Sequence, residues 1–423
     1  MLRSGDRLDV MVEKPAAGGR MIARHEGQVL LVSGAIPGER VAVRIERVDK
    51  RLAFAATIDV LTPSPDRRLP ASDPACGGCL FSHIEIARQR ELKSGIIADA
   101  FARIGKHALS ESPTVAPSSA QGYRMRARLH VRDGRIGFYR EGTHDLCDAA
   151  ATGQLHDATV PAVTRVVDGL RDMGHVPTSV EVAESIAADQ RALLIATSGT
   201  RRVSGPGLEA LLGDDVQSIV TLNAAGTRAA AGSGAIVESL ATLTRGRLEG
   251  ELRRHPESFF QGNRFLVDEL VSAVVESVLP DGDVLDLYAG VGLFAVALDG
   301  GHDVVAVEGH PTSGADLEIN ARARGRRITA VVSSVEHYLT SGGSVPGTVI
   351  VDPPRTGLSR DALTALIARA PKRLVYVSCD PATLARDTRS LLDSGHQLLS
   401  VAGFDLFPNT PHVEALAVLG RAS

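Results

Sequence analysis

The last third of the chain alternates apolar strands with helical stretches, and this pattern constrains the fold more than any other feature. It begins with VLDLYAGVGLFAVAL (284–298), which contains a strand, a turn with two glycines and a helix. Further apolar strands, separated by helical stretches, follow as DVVAVEG, ITAVVSS, GTVIVDPP and RLVYVSC. Strands that alternate with helices of this length form a doubly wound, mostly parallel sheet. We therefore predict a Rossmann-like α/β domain over residues 256–423.

The first part of the chain has a different periodicity. Residues 1–62 alternate apolar and polar positions in short runs, with Gly and Pro at the breaks, a pattern typical of a small β-barrel. We predict an OB-like β-barrel there. Residues 63–255 contain a Pro-rich linker, a helical stretch and then mixed β-rich and helical pieces, which predict a central α+β domain.

Composition excludes several classes of protein. The chain has 423 residues, of which 44% are apolar, so it can bury several cores and is not disordered. It has no run of about 18 apolar residues and no apolar signal-peptide core at its start. Four cysteines are too few for a disulfide framework and fit a reducing compartment. We expect a cytoplasmic protein, and a monomer.

Charge is distributed unevenly along the chain. Residues 1–145 hold 23 Lys+Arg against 17 Asp+Glu, whereas the net charge of the whole chain is −4. A basic front end is compatible with binding of a polyanion, although an ordinary solvated surface would give the same count. In YRMRARLHV, the residues Arg124, Arg126 and Arg128 fall on one strand face by their period of two, where they could contact phosphates.

Two motifs near the end of the chain carry chemistry. Cys379 follows the apolar strand of YVSCDPATLARD, and Asp352 begins the DPPR sequence of VDPPRTG. A carboxylate, Glu414, lies at the edge of the last strand in NTPHVEALAVL. A thiol at a strand end suits a nucleophile, and a nearby carboxylate suits a general base. A cysteine near a strand end can also be an inert part of the core.

The order and spacing of these motifs resemble those of the uracil-5 RNA methyltransferases, which use S-adenosylmethionine to make 5-methyluridine in tRNA or ribosomal RNA. The resemblance implies that Cys379 adds to carbon 6 of the uracil and that Glu414 removes the proton from carbon 5. His412 is then a positioning residue, and Arg355 and Arg386 are candidates for stabilising the thiolate. The target base would have to be extruded from folded RNA to reach the thiol.

The same resemblance implies a set of contacts to the methyl donor. These are Gln261 in FFQGN, Tyr288 and Gly290 in the glycine turn, Glu308 at the end of the next strand, and Asp352. Two positions depart from the family pattern. Leu293 stands where asparagine is usual, and Ser334 stands where an acidic residue often meets the adenine.

Three other functions would use part of the same sequence pattern. An amino-methyltransferase would use the DPP sequence, but Arg355 follows the prolines where such enzymes have an aromatic residue. A non-catalytic RNA-binding or RNA-folding protein would not need Cys379 and Glu414. A nicotinamide dehydrogenase would account for the glycine turn but for none of the other motifs.

The front end resembles a TRAM domain, an RNA-binding barrel, over GGRMIARHEGQVLLVSGAIPGERVAVRI. Phe54 is the single aromatic residue before Phe81, so base stacking on this barrel must be slight. A TRAM-like front end together with a cysteine cluster favours ribosomal RNA over tRNA as the partner.

Three cysteines resemble the iron-sulfur ligand set of many family members. Cys76 and Cys79 form CGGC, and Cys147 lies in a distant CD sequence, but Pro70 occupies the place of the fourth cysteine. A [4Fe-4S] cluster with a non-thiolate fourth ligand, a site without metal, and a zinc site completed by His83 all remain open.

Overall fold

The computed structural model describes residues 2–16, 18–299, 301–325, 327–342 and 346–421. Within these ranges the chain forms a closed barrel, a seven-stranded sheet, a two-stranded sheet and an eight-stranded sheet. No helix in the described ranges has both the length and the apolar character needed to cross a membrane.

The predicted N-terminal barrel is present. Its five strands close in the order β1-β2-β3-β5-β4, with β3 and β5 parallel and the other pairs antiparallel. Alternate side chains of each strand point inward and fill the barrel with aliphatic residues. The strands are β1 (Arg7–Pro15), β2 (Met21–His25), β3 (Gln28–Ser33), β4 (Arg40–Val48) and β5 (Leu52–Thr62).

The segment after the barrel connects it to the C-terminal sheet. Its helix α1 (Ile86–Arg103) contributes Leu92 to the barrel core, and Ile97 and Phe101 to the core under the C-terminal sheet. The two-residue strand β6 (Val115–Ala116) then pairs with the edge of that same sheet. Both elements lie in the middle part of the predicted three-part division, whose boundaries at residues 62 and 255 remain a proposal.

The central region is a mixed sheet with a helix on one side. Its strand order is β13-β12-β11-β10-β7-β8-β9, and α2 packs against β10. A separate hairpin, β14 and β15, follows with the short helix α4 between its strands. The elements are β7 (Arg126–Arg132), β8 (Arg135–Tyr139), β9 (Leu146–Asp148), α2 (Thr159–Asp172), β10 (Val176–Glu184), β11 (Arg191–Ser198), α3 (Gly205–Glu209), β12 (Ser218–Leu222), β13 (Arg228–Gly232), β14 (Ile236–Ser239), α4 (Leu240–Leu243) and β15 (Glu251–Arg254).

The C-terminal sheet confirms the predicted doubly wound topology. Its order is β18-β17-β16-β19-β20-β22-β21-β6, with β16 to β20 parallel and β22 antiparallel to both its neighbours. The elements are α5 (Val267–Ser277), β16 (Val284–Leu287), α6 (Leu293–Ala297), β17 (Val304–Glu308), α7 (Pro311–Ala323), β18 (Ile328–Val332), α8 (Val335–Thr340), β19 (Thr348–Val351), α9 (Arg360–Arg369), β20 (Arg373–Ser378), α10 (Pro381–Asp393), β21 (His396–Phe404) and β22 (Glu414–Arg421). Because the strand order reverses between β16 and β19, a crevice is expected at their carboxyl ends.

Candidate active site

A cavity of about 530 Å³ lies at the carboxyl ends of β16, β17 and β19. This volume is in the range of sites for small ligands and cofactors. All the donor contacts predicted from sequence line the cavity, and so do the two predicted catalytic residues. They are Gln261, Tyr288, Gly290, Glu308, Asp352, Cys379 and Glu414.

The turn after β16 is tight and depends on glycine. Gly290 and Gly292 both have positive φ, +58° and +89°, and a Cβ on Gly292 would come within 2.7 Å of the Leu317 side chain. Tyr288 also has a positive φ of +61°, which is uncommon for a bulky residue. The Gly290 amide donates a 2.8 Å hydrogen bond to Oε2 of Glu308, so the turn and the end of β17 are held together.

The two departures from the family pattern have structural roles. The Leu293 side chain is buried in the core at the start of α6. Ser334 is the N-cap of α8, where its hydroxyl accepts a 3.3 Å hydrogen bond from the His337 amide. Neither residue is among those that line the cavity.

Gln261 and Asp352 meet inside the cavity. Nε2 of Gln261 donates a 3.0 Å hydrogen bond to Oδ2 of Asp352. Burial raises the pKa of Asp352 to about 7, and the Gln261 hydrogen bond opposes this rise. The buried carboxyl of Asp352 therefore holds its proton more tightly than an exposed one does.

Cys379 directly follows β20 and is half-buried. Burial, and then the neighbouring Glu414, raise the pKa of its thiol to about 11, whereas Arg355 lowers it. Arg386, the other predicted partner, instead pairs with the Asp387 carboxylate at 2.8 Å and donates to the Thr356 carbonyl oxygen. Of the two arginines, Arg355 is thus the one placed to stabilise a thiolate.

Glu414 begins β22 and is buried. Burial and the nearby Asp352 raise the pKa of its carboxyl well above the ordinary value, with Arg355 acting in the opposite direction. Cys379, Asp352 and Glu414 therefore share a site in which a negative charge on one group makes ionisation of the others less favourable.

The loop that precedes Glu414 is held by buried polar contacts from distant parts of the chain. Lys93 of α1 pairs with Asp405, and Oε1 of Gln89 accepts a 2.8 Å hydrogen bond from the Asn409 amide. Nδ2 of Asn263 donates a 3.0 Å bond to the Leu406 carbonyl oxygen. Helix α1 thus fixes the entry to β22, and with it the position of the Glu414 carboxyl.

His412 lies on the same loop beside Arg355. Nη2 of Arg355 is 3.1 Å from Nδ1 of His412. Burial and the adjacent Arg355 lower the pKa of His412 to about 4, so the imidazole is neutral at pH 7. Because Nδ1 accepts from a guanidinium that always carries its protons, this contact supports the prediction of a positioning residue.

Three cavities meet at Cys379 and Arg355. Besides the cavity of about 530 Å³, one of about 460 Å³ extends toward β7 and β8 of the central sheet. Another, of about 280 Å³, extends along α1 toward the end of β1. Cys379 thus lies where cavities bordered by the N-terminal barrel, the central region and the C-terminal domain come together.

The three arginines predicted to grip phosphates have different environments. Arg126 donates to the Ser258 carbonyl oxygen, and burial lowers its pKa to about 10. Arg124 is half-buried, with its guanidinium 2.7 Å from Oε1 of Gln154. Arg128 alone is exposed. Side-chain alternation was predicted correctly, but it does not reveal which positions are covered by another segment.

The three cysteines do converge, but not as three thiolates. Cys76 and Cys147 form a disulfide, and Cys79 is a buried free thiol with the Ser72 hydroxyl 3.3 Å from its sulfur. His83, the alternative zinc ligand, contacts the Ala35 carbonyl oxygen of the barrel at 3.2 Å. Among the described residues no group of three or more His, Cys, Asp or Glu is arranged to hold a metal. With two of the three sulfurs in a disulfide, these cysteines do not supply the thiolates that an iron-sulfur cluster, one of the three possibilities left open by the sequence, would require.

Phe259 and Asp286 were not anticipated from sequence. Phe259 lines the cavity of about 530 Å³ with 61% of its surface exposed. Asp286 is fully buried in β16 below the glycine turn, where burial raises its pKa to about 8. The exposure of Phe259 is visible in the structure and not in the sequence, and a large apolar side chain exposed in a cavity often marks ligand contact.

Comparisons with known proteins extend these observations over the whole chain. Residues 2–58 match the TRAM domain family, and residues 343–422 match the tRNA (Uracil-5-)-methyltransferase family. An uncharacterized RNA methyltransferase of Streptomyces coelicolor is 32% identical, with 99% of this chain and 94% of that protein covered. Another, from Corynebacterium efficiens, is 31% identical, with 100% of this chain and 96% of that protein covered.

A solved structure is similar over nearly the full length. It is the Pyrococcus abyssi tRNA (uracil-54, C5)-methyltransferase in complex with S-adenosyl-L-homocysteine, which is 25% identical with a TM-score of 0.76. The match covers 97% of this chain and 99% of that one. Full-length similarity to RNA methyltransferases, the two matched domains and the shared fold lead to one assignment. This chain belongs to the uracil-5 RNA methyltransferase family.

Proposed function

We propose that this protein transfers a methyl group from S-adenosylmethionine to carbon 5 of a uridine in RNA, through a covalent adduct with Cys379. The observation that carries the proposal is the convergence of the Cys379 thiol and the Asp352 and Glu414 carboxyls in one cavity with the glycine turn. A nicotinamide dehydrogenase would have no use for this thiol and base. A protein that only binds RNA would not need them either.

The donor would be held by Gln261, Tyr288, Gly290 and Glu308, which line the cavity. Both oxygens of Glu308 accept backbone amides, from Gly290 at 2.8 Å and His310 at 2.6 Å. Because each carboxylate oxygen has a further lone pair, Glu308 can still accept from ribose hydroxyls. The donor supplies an electrophilic methyl group. The remaining chemistry depends on residues of this chain.

Cys379 makes carbon 5 reactive. Carbon 5 of uracil is a poor nucleophile, so the thiolate first adds to carbon 6, and the electrons of the C5–C6 double bond move to give an enolate. Carbon 5 then forms a bond to the methyl group, and the bond between that group and the donor sulfur breaks. At this stage carbon 5 bears both a proton and a methyl group, and carbon 6 is bonded to the Cys379 sulfur.

Glu414 is assigned the next proton transfer. Removal of the carbon 5 proton regenerates the enolate, which expels the Cys379 thiolate and restores the C5–C6 double bond. The proton resides on Glu414 and leaves to solvent after product release. A carboxyl whose pKa is raised is a stronger base than an ordinary one once deprotonated. The raised pKa of Glu414 thus suits this role.

Arg355 is assigned to the activation of the thiol. With a pKa of about 11, the Cys379 thiol is mostly protonated at neutral pH, and it must transfer its proton to water before the sulfur adds to carbon 6 of the uracil. The Arg355 guanidinium favours the thiolate over the thiol. Its own hydrogen bond to His412 fixes it at the mouth of the three cavities.

The proposal also concerns which class of RNA, ribosomal RNA or tRNA, is the substrate. The sequence favours ribosomal RNA, and that preference remains a prediction, as do the cytoplasmic location and the monomeric state. The matched Pyrococcus abyssi enzyme is named for tRNA and aligns with 97% of this chain. A barrel at the front therefore does not by itself separate the two RNA classes, and both belong in the test.

The test uses tRNA and ribosomal RNA from cells that lack the gene. Each RNA is incubated with the enzyme and methyl-labelled donor, and nucleosides are then identified by mass spectrometry. We expect labelled 5-methyluridine with the wild type and none with Cys379→Ala. Cys79→Ser, which removes the other free thiol, should retain turnover. Labelled methyladenosine in place of 5-methyluridine would favour the amino-methyltransferase alternative and contradict the proposal.

A further inference from the structure

We propose that the stacked side chains of His130 and Tyr139 form a platform on which a base of the RNA next to the target uridine stacks. The inference rests on the proposed function, because it assumes that RNA approaches Cys379. It adds a binding subsite in the central domain and assigns its ligand class, a nucleobase.

The platform lies in the same cavity as the catalytic thiol. The residues that line the cavity of about 460 Å³ include Cys379, Arg355 and His412 of the catalytic region and also His130 and Tyr139. A uridine bound at Cys379 thus has open space that leads directly to the two rings. A chain of nucleotides continuing from the target base can follow this space.

The two rings are arranged for stacking. Their centroids are 3.6 Å apart and their planes differ by 14°. Both side chains are only half-buried, and both line the cavity. Burial, followed by Arg128 and His144, lowers the pKa of His130, which favours the neutral imidazole. A nucleobase can stack as a third ring on a flat pair of this kind.

The platform is held by backbone contacts, so its geometry is set before RNA binds. His130 on β7 is paired with Gly137 on β8, two residues before Tyr139. The Tyr139 carbonyl oxygen accepts a 3.0 Å hydrogen bond from the Gly77 amide. The next residue, Arg140, pairs with Asp73 at 2.5 Å. A preformed platform reduces the entropy that is lost on binding.

Two arginines accompany the platform. Arg124 and Arg128 line the same cavity, and Arg128 is exposed, with Glu181 no nearer than 3.9 Å. Arginines beside an aromatic platform suit a nucleotide, whose phosphate binds the guanidinium while its base stacks. This combination explains how RNA can be held by stacking when the barrel has almost no aromatic residue.

The chain has no tryptophan, which permits a direct optical test. Tyr139→Trp places a single indole in the platform, and Tyr338→Trp places one on α8 as the matched control. The probes are a ten-nucleotide oligouridine and a ribose-phosphate oligomer of the same length without bases. We expect the oligouridine to quench the fluorescence of Tyr139→Trp, and neither the abasic oligomer nor the control to give quenching. Binding without quenching of Tyr139→Trp would overturn the proposal.

Affinities supply a second test that does not depend on the indole. The ratio of oligouridine to abasic-oligomer affinity should fall about fivefold to a hundredfold in Tyr139→Ala, because stacking contributes at this level. Tyr139→Phe should keep the wild-type ratio, and Arg128→Ala should weaken both probes. The proposal would be overturned if Tyr139→Ala had the same ratio of oligouridine to abasic-oligomer affinity as the wild type. It would also be overturned if the wild type bound both probes equally.

These measurements need neither donor nor turnover, so they are independent of the methylation assay. Loss of base-dependent binding in Tyr139→Ala, with S-adenosylhomocysteine binding retained as a check of folding, supports the platform even if uridine is not the methylated base. Conversely, 5-methyluridine formation together with an unchanged affinity ratio would reject the platform and leave the proposed function intact.

Discussion

Gln261 and Asp352 are 91 residues apart in the chain, and Nε2 of Gln261 donates a 3.0 Å hydrogen bond to Oδ2 of Asp352. The bond joins the segment that enters the C-terminal domain to the DPPR motif after β19. Both residues line the cavity proposed for the donor. The bond thus connects Gln261, a residue proposed to contact the donor, with the ionisation of the Asp352 carboxyl.

Loss of this bond should affect donor binding and the Asp352 carboxyl together. We expect Gln261→Ala to bind S-adenosylhomocysteine about threefold to tenfold more weakly at pH 7, as is typical for loss of one hydrogen bond. Because the bond lowers the pKa of Asp352, that pKa should rise in the variant. Calorimetry from pH 6 to 8 measures both effects, with the exposed Gln397→Ala as the control. Equal affinities for variant and wild type would contradict the assignment.

Arg355 should govern the reactivity of Cys379. Its guanidinium lowers the pKa of the thiol, so Arg355→Met should raise that pKa and reduce the thiolate fraction about tenfold for each unit of rise. The measurement is the rate of iodoacetamide alkylation of the Cys379 peptide between pH 8 and 10, followed by mass spectrometry. Arg360→Met, which removes an exposed arginine of α9, should alkylate at the wild-type rate. Unchanged alkylation in Arg355→Met would assign activation to another group.

Asp286 should make the fold less stable as pH rises. Burial raises its pKa from 3.8 to about 8 in the folded chain, so the folded state binds the proton more tightly than the unfolded state. The stabilisation is complete below pH 4 and is lost as pH rises through about 8, at up to about 1.4 kcal/mol per pH unit.

Asp286→Asn should therefore remove part of this pH dependence, since the amide remains neutral and can still accept the 3.1 Å hydrogen bond from the Ala295 amide. Thermal midpoints at pH 5 and pH 8 measure the effect. The midpoint of the wild type should fall more between the two pH values than that of Asp286→Asn, and Asp281→Asn, at an exposed position, should behave as the wild type. Parallel changes in all three proteins would contradict the prediction.

The sequence was informative where local periodicity determines the structure. Alternating patterns predicted both the barrel and the parallel sheet, because side-chain burial follows the period of a strand or helix. Tyr288 and Asp352 directly follow strands of one parallel sheet, and Glu308 is the last residue of another of its strands. The carboxyl ends of these strands share an edge. Their meeting in one cavity therefore follows from the topology.

Features that depend on contacts distant in the chain were not predictable. Strand β6 has two residues and carries no periodic signal, yet it extends the C-terminal sheet. Arg126 is covered by the Ser258 segment, which lies 132 residues away. The stack of His130 and Tyr139 depends on the register of a hairpin, which is determined by its turn and by packing.

The most direct test of the covalent account is the fate of RNA on Glu414→Gln. The amide keeps the shape of the side chain but cannot remove the carbon 5 proton. With RNA and methyl-labelled S-adenosylmethionine, addition and methyl transfer should proceed and elimination should stall. We predict a protein–RNA adduct on denaturing gels that carries the methyl label, and no such adduct with Cys379→Ala or with the control Glu276→Gln, which should turn over normally. Full turnover by Glu414→Gln would assign the base to His412 or Asp352, and a labelled adduct with Cys379→Ala would contradict the mechanism.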